Sequence, residues 1–411
     1  MDKWLEEQIL ERSNRNEQKV LDLRHQIHQD PELSFKEFHT SERVKKILED
    51  MGLEVRSGIA GTGLVADIVG EKTSDHPKTL LLRADMDALP LQEENDLPFR
   101  SQNPGVMHAC GHDVHTSSLV GVAWILNELK EHWSGRIRLV FQPAEESGGG
   151  GREMIKEGIM DDIPIDGSIA LHTLTSEKPG TFFLGWENIS AYSDKFQIVV
   201  HGKKTHSSAP QNGVDAIEIA AHVVLAVSGL LKNSISPMER ATYSIGMIQG
   251  GTAPNIIADR VELTGMMRNI KADTREILRD KIGKVAAGVA EAIGGRAEFI
   301  FTEGYSSVYN DPKLTDFVAE QIKEQAGTWL MDIDSEMAAS ENHFKVQKLP
   351  MLGAEDYGFY PQRVPSCFYR VATGDAAPAH SGKFFIEEKY IKLCTRSMTS
   401  LALRFLMDYD K

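Results

Sequence analysis

The chain has 411 residues, more than one ordinary hydrophobic core accommodates, and this length predicts two domains. Its composition is that of a globular protein, and no apolar run approaches the roughly 20 residues that span a bilayer. A net charge of −15 argues against nucleic acid and anionic membranes as partners. The three cysteines, Cys110, Cys367 and Cys394, are too few and too widely spaced for a disulfide framework, and the N-terminus lacks a secretory signal. We therefore expect a cytoplasmic protein.

Strand-like and helix-like segments alternate in the first half of the chain, from about residue 80 to residue 184. Short apolar runs at 80–82, 137–141 and 168–171 are separated by helical patterns at 114–130 and from 153 onward. This rhythm is typical of βαβ units. It predicts an α/β fold with a doubly wound, mainly parallel sheet.

The rhythm changes after residue 192. The predicted elements there follow a β-α-β-β-α-β order, at 196–200, 214–231, 242–248, 261–267, 274–293 and 297–301. This order is that of a small ferredoxin-like α+β domain (βαββαβ). Because the candidate metal ligand His380 lies beyond it, we expect an insertion. Residues 191–304 would form a lid or dimerisation domain, and residues 1–190 and 305–411 a discontinuous metal-binding catalytic domain.

Side chains that can carry chemistry follow three of the predicted strands. Asp85 and Asp87 come after the first strand, Glu145 and Glu146 after the second, and His172 after the third. Open parallel sheets place their active sites at the carboxyl ends of strands. We therefore expect these side chains to lie close together.

A second source of such side chains is the segment Cys110-Gly111-His112-Asp113, and a third is His380. A thiolate, imidazoles and carboxylates hold a borderline-soft divalent cation and activate its water. The pattern predicts a metal-dependent hydrolase. Two other interpretations remain at this point: Cys110 as a nucleophile with His112 as its base, which leaves the glutamates and distant histidines without roles, and Cys110 as an inert structural residue.

Glu145 and Glu146 are neighbours, and neighbours on a regular strand point to opposite faces. Both can serve one site only where the strand has ended. Pro143 before them and the glycines at 148–151 after them predict such a departure. The alternative is a solvated acidic turn.

Taken in order, several motifs resemble the M20 metallopeptidase family, and more closely its amidohydrolase branch of aminoacylases, hippurate hydrolases and auxin-conjugate hydrolases. The resemblance covers nearly the whole chain. The motifs that carry it are RHQIHQDPELSF at 24–35, RADMDALP at 83–90, CGHD at 110–113, GKKTHSSAP at 202–210, GGTAPN at 250–255 and GAED at 353–356.

The resemblance implies a site for two divalent metal ions per subunit, with Zn²⁺, Mn²⁺, Co²⁺ and Ni²⁺ all suited to the donors. In this branch, Cys110 takes the place of a bridging carboxylate. The implied ligands are Cys110, His112, Glu146, His172 and His380.

The resemblance also implies that Glu145 is the general base for the metal-activated water and that Asp87 holds the metal ligands in place. Direct metal binding by Asp85 is the less favoured alternative. We interpret His108 and His115, which flank the cysteine motif, as structural residues or supports for the ligands.

In the inserted domain, His206 resembles the family histidine that reaches a neighbouring subunit's site and stabilises the oxyanion. Asn255 and Arg268 match positions that contact the substrate, and an arginine fork suits a carboxylate. The alternatives are a loop histidine at His206 and a surface charge at Arg268. The resemblance therefore implies a homodimer or higher homo-oligomer.

The implied activity is cleavage of the amide bond of N-acyl-L-amino acids, as in aminoacylases and hippurate hydrolases. An M20-type carboxypeptidase or dipeptidase acting on short peptides is the alternative, because the chemistry at the amide is the same. A non-catalytic metal-binding module would have no reason to keep Glu145 beside an open cavity.

Overall fold

The computed structural model describes residues 1–230, 234–340, 343–374 and 377–409. Contacts between Cα atoms divide the chain into two compact units. Unit 1 comprises Met1–Glu187, Tyr309–Leu349 and Asp356–Lys411, and unit 2 comprises Asn188–Val308 and Pro350–Glu355. Among the described residues, no helix combines the length and the apolar character that crossing a bilayer requires.

Helices and strands alternate in the first part of the chain. They are α1 (Lys3–Gln29), α2 (Phe38–Asp50), β1 (Val55–Ile59), β2 (Gly63–Val69), β3 (Thr79–Asp85), α3 (His112–Glu128), β4 (Arg136–Gln142), α4 (Gly150–Lys156), β5 (Gly167–Leu174), β6 (Phe182–Leu184) and β7 (Glu187–Asn188).

The middle of the chain contains the elements of unit 2. They are β8 (Tyr192–His201), β9 (Thr205–His206), α5 (Ala216–Ser228), β10 (Ala241–Gly250), β11 (Ile256–Ile257), β12 (Arg260–Asn269), α6 (Ala272–Ala292) and β13 (Arg296–Tyr305).

The chain then returns to unit 1. The remaining elements are β14 (Tyr309–Asn310), α7 (Pro312–Leu330), α8 (Ser335–Ala338), β15 (Phe344–Val346), β16 (Ser366–Ala372) and α9 (Ile391–Asp408).

Unit 1 is built on an eight-stranded sheet in the order β1-β2-β4-β3-β5-β16-β6-β15. The four central strands, β4, β3, β5 and β16, are parallel to one another, whereas β1 and β2 form an antiparallel edge. Every residue from Leu80 to Asp85 is buried, so both faces of β3 are covered, as in parallel sheets generally. The predicted α/β class with a mainly parallel sheet is confirmed.

Helices α1, α3 and α9 pack against one another and share the core of unit 1. Leu119, Val122, Leu126 and their neighbours on α3 are fully buried. The glycine before this helix, Gly111, has a φ of 92°, a left-handed conformation that glycine adopts without a steric penalty. It turns the chain between Cys110 and the first residue of α3, His112.

Unit 2 contains a four-stranded antiparallel sheet in the order β10-β12-β8-β13. Helices α5 and α6 contact each other and the sheet. Ile219, Val223 and Val227 recur every four residues and bury one face of α5. The long elements follow the predicted β-α-β-β-α-β order, although the expected end of the first helix, Leu231, lies outside the described residues. The short antiparallel pair of β9 and β11 was not predicted.

Candidate metal centre

The carboxyl ends of neighbouring parallel strands bring several candidate residues of unit 1 to one edge of the sheet. Strand β3 ends at Asp85, strand β4 ends shortly before Glu145, and strand β5 contains His172. The loop that enters α3 carries Cys110 and ends at His112. This arrangement follows from strand adjacency, because β3 lies between β4 and β5.

His380 joins this edge from the segment that follows β16. Its backbone N–H donates to the carbonyl of Ala109 at 2.8 Å, which fixes it beside Cys110. Its Nε2 lies 3.3 Å from Oε1 of Glu146, and this contact raises the pKa of His380. Its φ of 63° is left-handed, so the ring is directed by an unusual backbone conformation.

The predicted ligands form two groups of three side chains. The donor atoms of Cys110, His112 and His172 lie within 4.8 Å of one another, and so do those of Cys110, Glu146 and His380. Cys110 belongs to both groups, as a ligand shared between two ions would. The structure therefore brings all five predicted ligands together in unit 1.

Hydrogen bonds orient the imidazoles of His112 and His172. Nδ1 of His112 lies 2.8 Å from the carbonyl oxygen of Asp87, and Nδ1 of His172 lies 2.6 Å from that of Thr173. A carbonyl only accepts, so in each ring Nδ1 donates, and in the neutral ring Nε2 keeps its lone pair. Nε2 of His172 is directed at Sγ of Cys110, 3.5 Å away. Ligating histidines are commonly oriented in this way.

Two buried side-chain atoms of the cluster make no well-formed hydrogen bond among the described residues, although one of them is the Glu146 oxygen that lies 3.3 Å from His380. They are Nε2 of His112 and Oε1 of Glu146, which lie 3.9 Å apart. Buried polar atoms are nearly always paired, and divalent cations held by the two ligand groups would satisfy both atoms. The sulfur, nitrogen and oxygen donors also match Zn²⁺, Mn²⁺, Co²⁺ or Ni²⁺. The residues present therefore fit a metal site.

Asp85 and His115 form, with His112, a further group of three side chains whose donor atoms lie within 4.8 Å of one another. The two oxygens of Asp85 are engaged by Nη1 of Arg83, at 2.5 Å, and by Nδ1 of His115, at 2.6 Å. Nε2 of His115 accepts the backbone N–H of Thr173 at 2.9 Å. Burial alone would raise the pKa of Asp85, but Arg83 and the nearby imidazoles bring it well below its usual value. His108 is buried, and burial lowers its pKa to about 3.

The carboxylate of Asp87 accepts hydrogen bonds from the loop that carries Glu145 and Glu146. Its Oδ1 accepts the backbone N–H of Glu145 at 2.9 Å, and its Oδ2 accepts that of Glu146 at 3.0 Å. The hydroxyl of Ser34 donates to Oδ2 at 2.6 Å. The sequence interpretation missed Ser34, although it lies inside the N-terminal motif at 24–35. The neighbouring Glu37 was missed as well.

Glu145 and Glu146 face the same cluster although they are neighbours in sequence. Their carboxylates and the ring of His112 offer donor atoms within 4.8 Å of one another. Glu145 is only 7% exposed, and its Oε1 accepts the backbone N–H of Asp356 at 3.4 Å. The predicted departure from strand geometry occurs at Ala144, whose φ is 56°. These contacts do not describe a solvated acidic turn.

The surroundings of Cys110 disfavour the thiolate form that a free nucleophile requires. Burial raises the pKa of its thiol to about 12. A thiol in this state is protonated at neutral pH, whereas the attacking species in nucleophilic catalysis is the thiolate. A bound cation deprotonates a coordinating thiol outright.

The three candidates of the predicted inserted domain lie in unit 2. His206 on β9 pairs with Ile256 on β11, and the backbone N–H of Ser207 donates to the carbonyl of Asn255. His206 and Asn255 are therefore close together, and both are exposed. Arg268 lies on β12 and donates one hydrogen bond to the carbonyl of Leu352 at 2.9 Å.

The chain is similar to known proteins over nearly its whole length. A thermostable carboxypeptidase of Saccharolobus solfataricus is 37% identical over 94% of this chain and 95% of its own length. An N-acetylcysteine deacetylase of Bacillus subtilis is 31% identical over 94% of this chain and 96% of its own length. A solved Bacillus subtilis structure, described as a dinuclear metal binding peptidase from the M20 family, superposes with a TM-score of 0.80 at 28% identity. The superposition covers 96% of this chain and 99% of that one.

A family match extends over most of the chain. Residues 81–404, which include all of the predicted metal ligands and Glu145, match the peptidase family M20/M25/M40. The relatives match over nearly their full lengths, so the likeness is not confined to one motif. The chain belongs to peptidase family M20/M25/M40 and is a hydrolase.

Proposed function

We propose that this protein is a metal-dependent amidohydrolase that cleaves the amide bond of N-acyl-L-amino acids, with Glu145 as its general base. The observation that carries the proposal is the placement of the buried Glu145 carboxylate beside His112 and Glu146, within a cluster of metal-ligand type. A structural metal site has no use for such a carboxylate beside its ligands. Supporting this assignment, one relative is named as a deacetylase of an N-acetyl amino acid.

The proposed metal centre contains two divalent cations per subunit, held by the two groups of ligands that share Cys110. The similar Bacillus subtilis protein, described as dinuclear, supports this number of ions. When bound, such cations polarise the scissile carbonyl and lower the pKa of water to about 7. Nε2 of His112 and Oε1 of Glu146 are buried and make no well-formed hydrogen bond among the described residues, which supports occupancy by metal ions.

Glu145 and Asp87 have separate proposed roles in the reaction. Glu145 accepts a proton from the attacking water and passes it to the amide nitrogen, so that the amino acid leaves as a neutral amine. Asp87 holds the backbone of Glu145 and Glu146 through two hydrogen bonds, and thereby keeps the base and a ligand in fixed positions. Positioning of this kind is what general acid–base catalysis requires.

Unit 2 supplies the proposed contacts with the substrate. Arg268 would bind the α-carboxylate of the amino acid, because its guanidinium retains donors beyond the one that reaches Leu352. Asn255 would donate to the same group or to the carbonyl. His206 would stabilise the oxyanion that develops at the scissile carbonyl. The exposure of His206 and Asn255 in the single chain is compatible with contacts made only in an assembled enzyme.

A carboxypeptidase or dipeptidase acting on short peptides is the second candidate, favoured by the 37% identity to a thermostable carboxypeptidase. The deciding experiment compares hydrolysis of N-acetyl-methionine and hippurate with that of matched unblocked dipeptides. We expect the acylated amino acids to be preferred by at least about tenfold in kcat/KM, a difference of about 1.4 kcal/mol in transition-state binding. A chelator should abolish both activities, and Zn²⁺, Mn²⁺, Co²⁺ or Ni²⁺ should restore them. A preference for dipeptides would favour the second candidate.

We further propose that the active site is completed across a subunit interface, by His206 of a partner copy. Mixing inactive Glu145→Gln with inactive His206→Ala should then restore activity, because one site of each mixed dimer has both groups intact. Random exchange makes half of the dimers mixed, so recovery should reach about a quarter of the wild-type rate. The measurement is the rate of substrate hydrolysis after verified subunit exchange.

The matched control for this experiment is a mixture of Glu145→Gln with Cys110→Ala. Both of these residues lie in unit 1, so neither site of the mixed dimer is complete and no activity should return. Absence of recovery in the first mixture would show that His206 does not act across subunits. A monomeric wild-type enzyme with full activity would contradict the proposal as well.

A further inference from the structure

Three successive backbone amides after β4 are bound by two buried carboxylates. The N–H of Ala144 donates to Oε1 of Glu37 at 2.9 Å, and the next two, those of Glu145 and Glu146, donate to the two oxygens of Asp87. The turn that presents the base and a metal ligand is therefore held at each of its residues.

The first of these residues has a costly backbone conformation. Ala144 has a φ of 56°, in the left-handed region that residues with a Cβ atom disfavour. This conformation breaks the strand alternation, so that Glu145 and Glu146 both face the metal cluster. Strained residues persist where surrounding contacts determine them, and they concentrate at functional sites. The hydrogen bond from Ala144 to Glu37 is a contact of this kind.

The carboxyl group of Glu37 is buried, and both of its oxygens accept hydrogen bonds. Its Oε1 also accepts the N–H of Phe35 at 3.0 Å, and its Oε2 accepts the hydroxyl of Thr62. Burial, reinforced by the negative charge of Asp87, raises the pKa of Glu37 to about 7. Because both backbone amides donate to Oε1, a proton on Oε2 leaves those two bonds in place.

The segment that carries Glu37 also contacts the active-site loop in other ways. Ser34 donates to Asp87, and the backbone carbonyl of Glu32 accepts the N–H of Ala88 at 2.8 Å. The ring of Phe35 lies so close to Gly148 that a Cβ there would come within 2.4 Å of it. The segment therefore contacts the loop after β3, at Asp87 and Ala88, and the loop after β4, at Gly148.

We propose that Glu37 is a positioning residue for hydrolysis, acting through Ala144 to direct Glu145 and Glu146 at the metal cluster. The inference rests on the proposed role of Glu145 as general base. It gives a function to a residue just after the N-terminal motif at 24–35, one that the metal ligands and substrate contacts leave unexplained. Glu37 itself touches neither the ligands nor the substrate.

The first test is the Glu37→Ala variant. We expect kcat to fall by about 10- to 100-fold at saturating metal, the range seen when a partner that orients an active-site group is removed, while KM changes by less than about threefold. Glu37→Gln should stay within about threefold of wild-type kcat, because its carbonyl oxygen still accepts both backbone amides. A role that depends on negative charge would instead leave Glu37→Gln as impaired as Glu37→Ala, and this would contradict the inference.

The matched control is Glu32→Ala in the same segment. The carboxylate of Glu32 accepts the backbone N–H groups of His39 and Thr40 at the start of α2, and not those of the glutamate loop. This variant should keep wild-type kcat even if its thermal stability falls. Equal losses of kcat in Glu32→Ala and Glu37→Ala would mean that Glu37 acts only through the stability of the segment.

A second readout does not depend on any substrate. In the metal-free protein, hydrogen–deuterium exchange of the amides of Ala144, Glu145 and Glu146 should accelerate in Glu37→Ala and remain unchanged in Glu32→Ala. Unchanged exchange in Glu37→Ala would overturn the inference even if the enzyme is an amidohydrolase. Conversely, failure of the proposed activity in the wild-type protein would leave this measurement fully interpretable.

A suppressor variant tests the role of the strained alanine. Glycine adopts a positive φ without a steric penalty, so Ala144→Gly should recover part of the kcat lost in Glu37→Ala. A double variant no better than the single one would contradict the link through Ala144.

If Glu37→Ala does not fold, Glu37→Asp replaces it, because the shortened side chain keeps a carboxylate but cannot reach Ala144. Wild-type kcat and exchange in that variant would overturn the inference.

Discussion

Replacing Glu145 with glutamine should reduce kcat by ~10²–10⁴ or more and leave the fold and the metal content intact. Removing a positioned acid–base group costs this much because the proton must then move without a carboxylate in the transition state. Glutamine has almost the same shape and still offers an oxygen to the backbone N–H of Asp356. The measurements are kcat at saturating substrate, metal content by atomic spectroscopy and the midpoint of thermal unfolding.

The control for this variant is Glu153→Gln on α4, a partly exposed carboxylate that pairs with Lys156 outside the metal cluster. It should hydrolyse substrate at the wild-type rate. A fully metallated Glu145→Gln enzyme with near-normal turnover would show that another group accepts the proton of the attacking water.

Replacing Cys110 with alanine should remove bound metal, and with it at least about 100-fold of the activity. Cys110 belongs to both groups of ligands, so its loss weakens both proposed ion sites at once. Loss of a partner that only orients a ligand already costs up to about 100-fold, and loss of the ligand itself should cost more. The measurement is metal stoichiometry of the purified variant together with kcat/KM.

Cys394→Ala is the appropriate control, because this cysteine is buried in α9 and belongs to no candidate metal group found among the described residues. It should retain its metal and its activity. The nucleophile interpretation of Cys110 predicts the opposite pattern for Cys110→Ala, namely full metal content with no turnover. The two variants together therefore distinguish a ligand from a nucleophile.

The central part of the fold could be predicted because its signals are local. The buried run at 80–82 lies within β3, the run at 137–141 within β4, and the run at 168–171 within β5. Strands buried on both faces are apolar at nearly every position, and the chemistry-bearing residues follow where those runs end. The short strands β6 and β15 have three residues each, too few for any periodicity to reveal them.

The backbone conformation and the hydrogen bond that hold the loop of Glu145 could not be predicted in the same way. Nothing in the sequence around Ala144 indicates a left-handed residue, since only glycine and asparagine commonly mark that conformation. The partner of its amide, Glu37, lies more than a hundred positions away. Contacts of this kind depend on tertiary packing, and they cannot be inferred from residue types and spacing alone. The roles of His206, Asn255 and Arg268 stay predictions for the same reason.

The order of strands in unit 1 has a consequence for synthesis on the ribosome. Strand β16 lies between β5 and β6 in the sheet but is the last strand to be translated, and His380 follows it. The long segment of unit 2, Asn188–Val308, is by then complete and can fold as a unit. The nascent chain therefore lacks both a central strand and a proposed ligand until β16 and His380 have been translated.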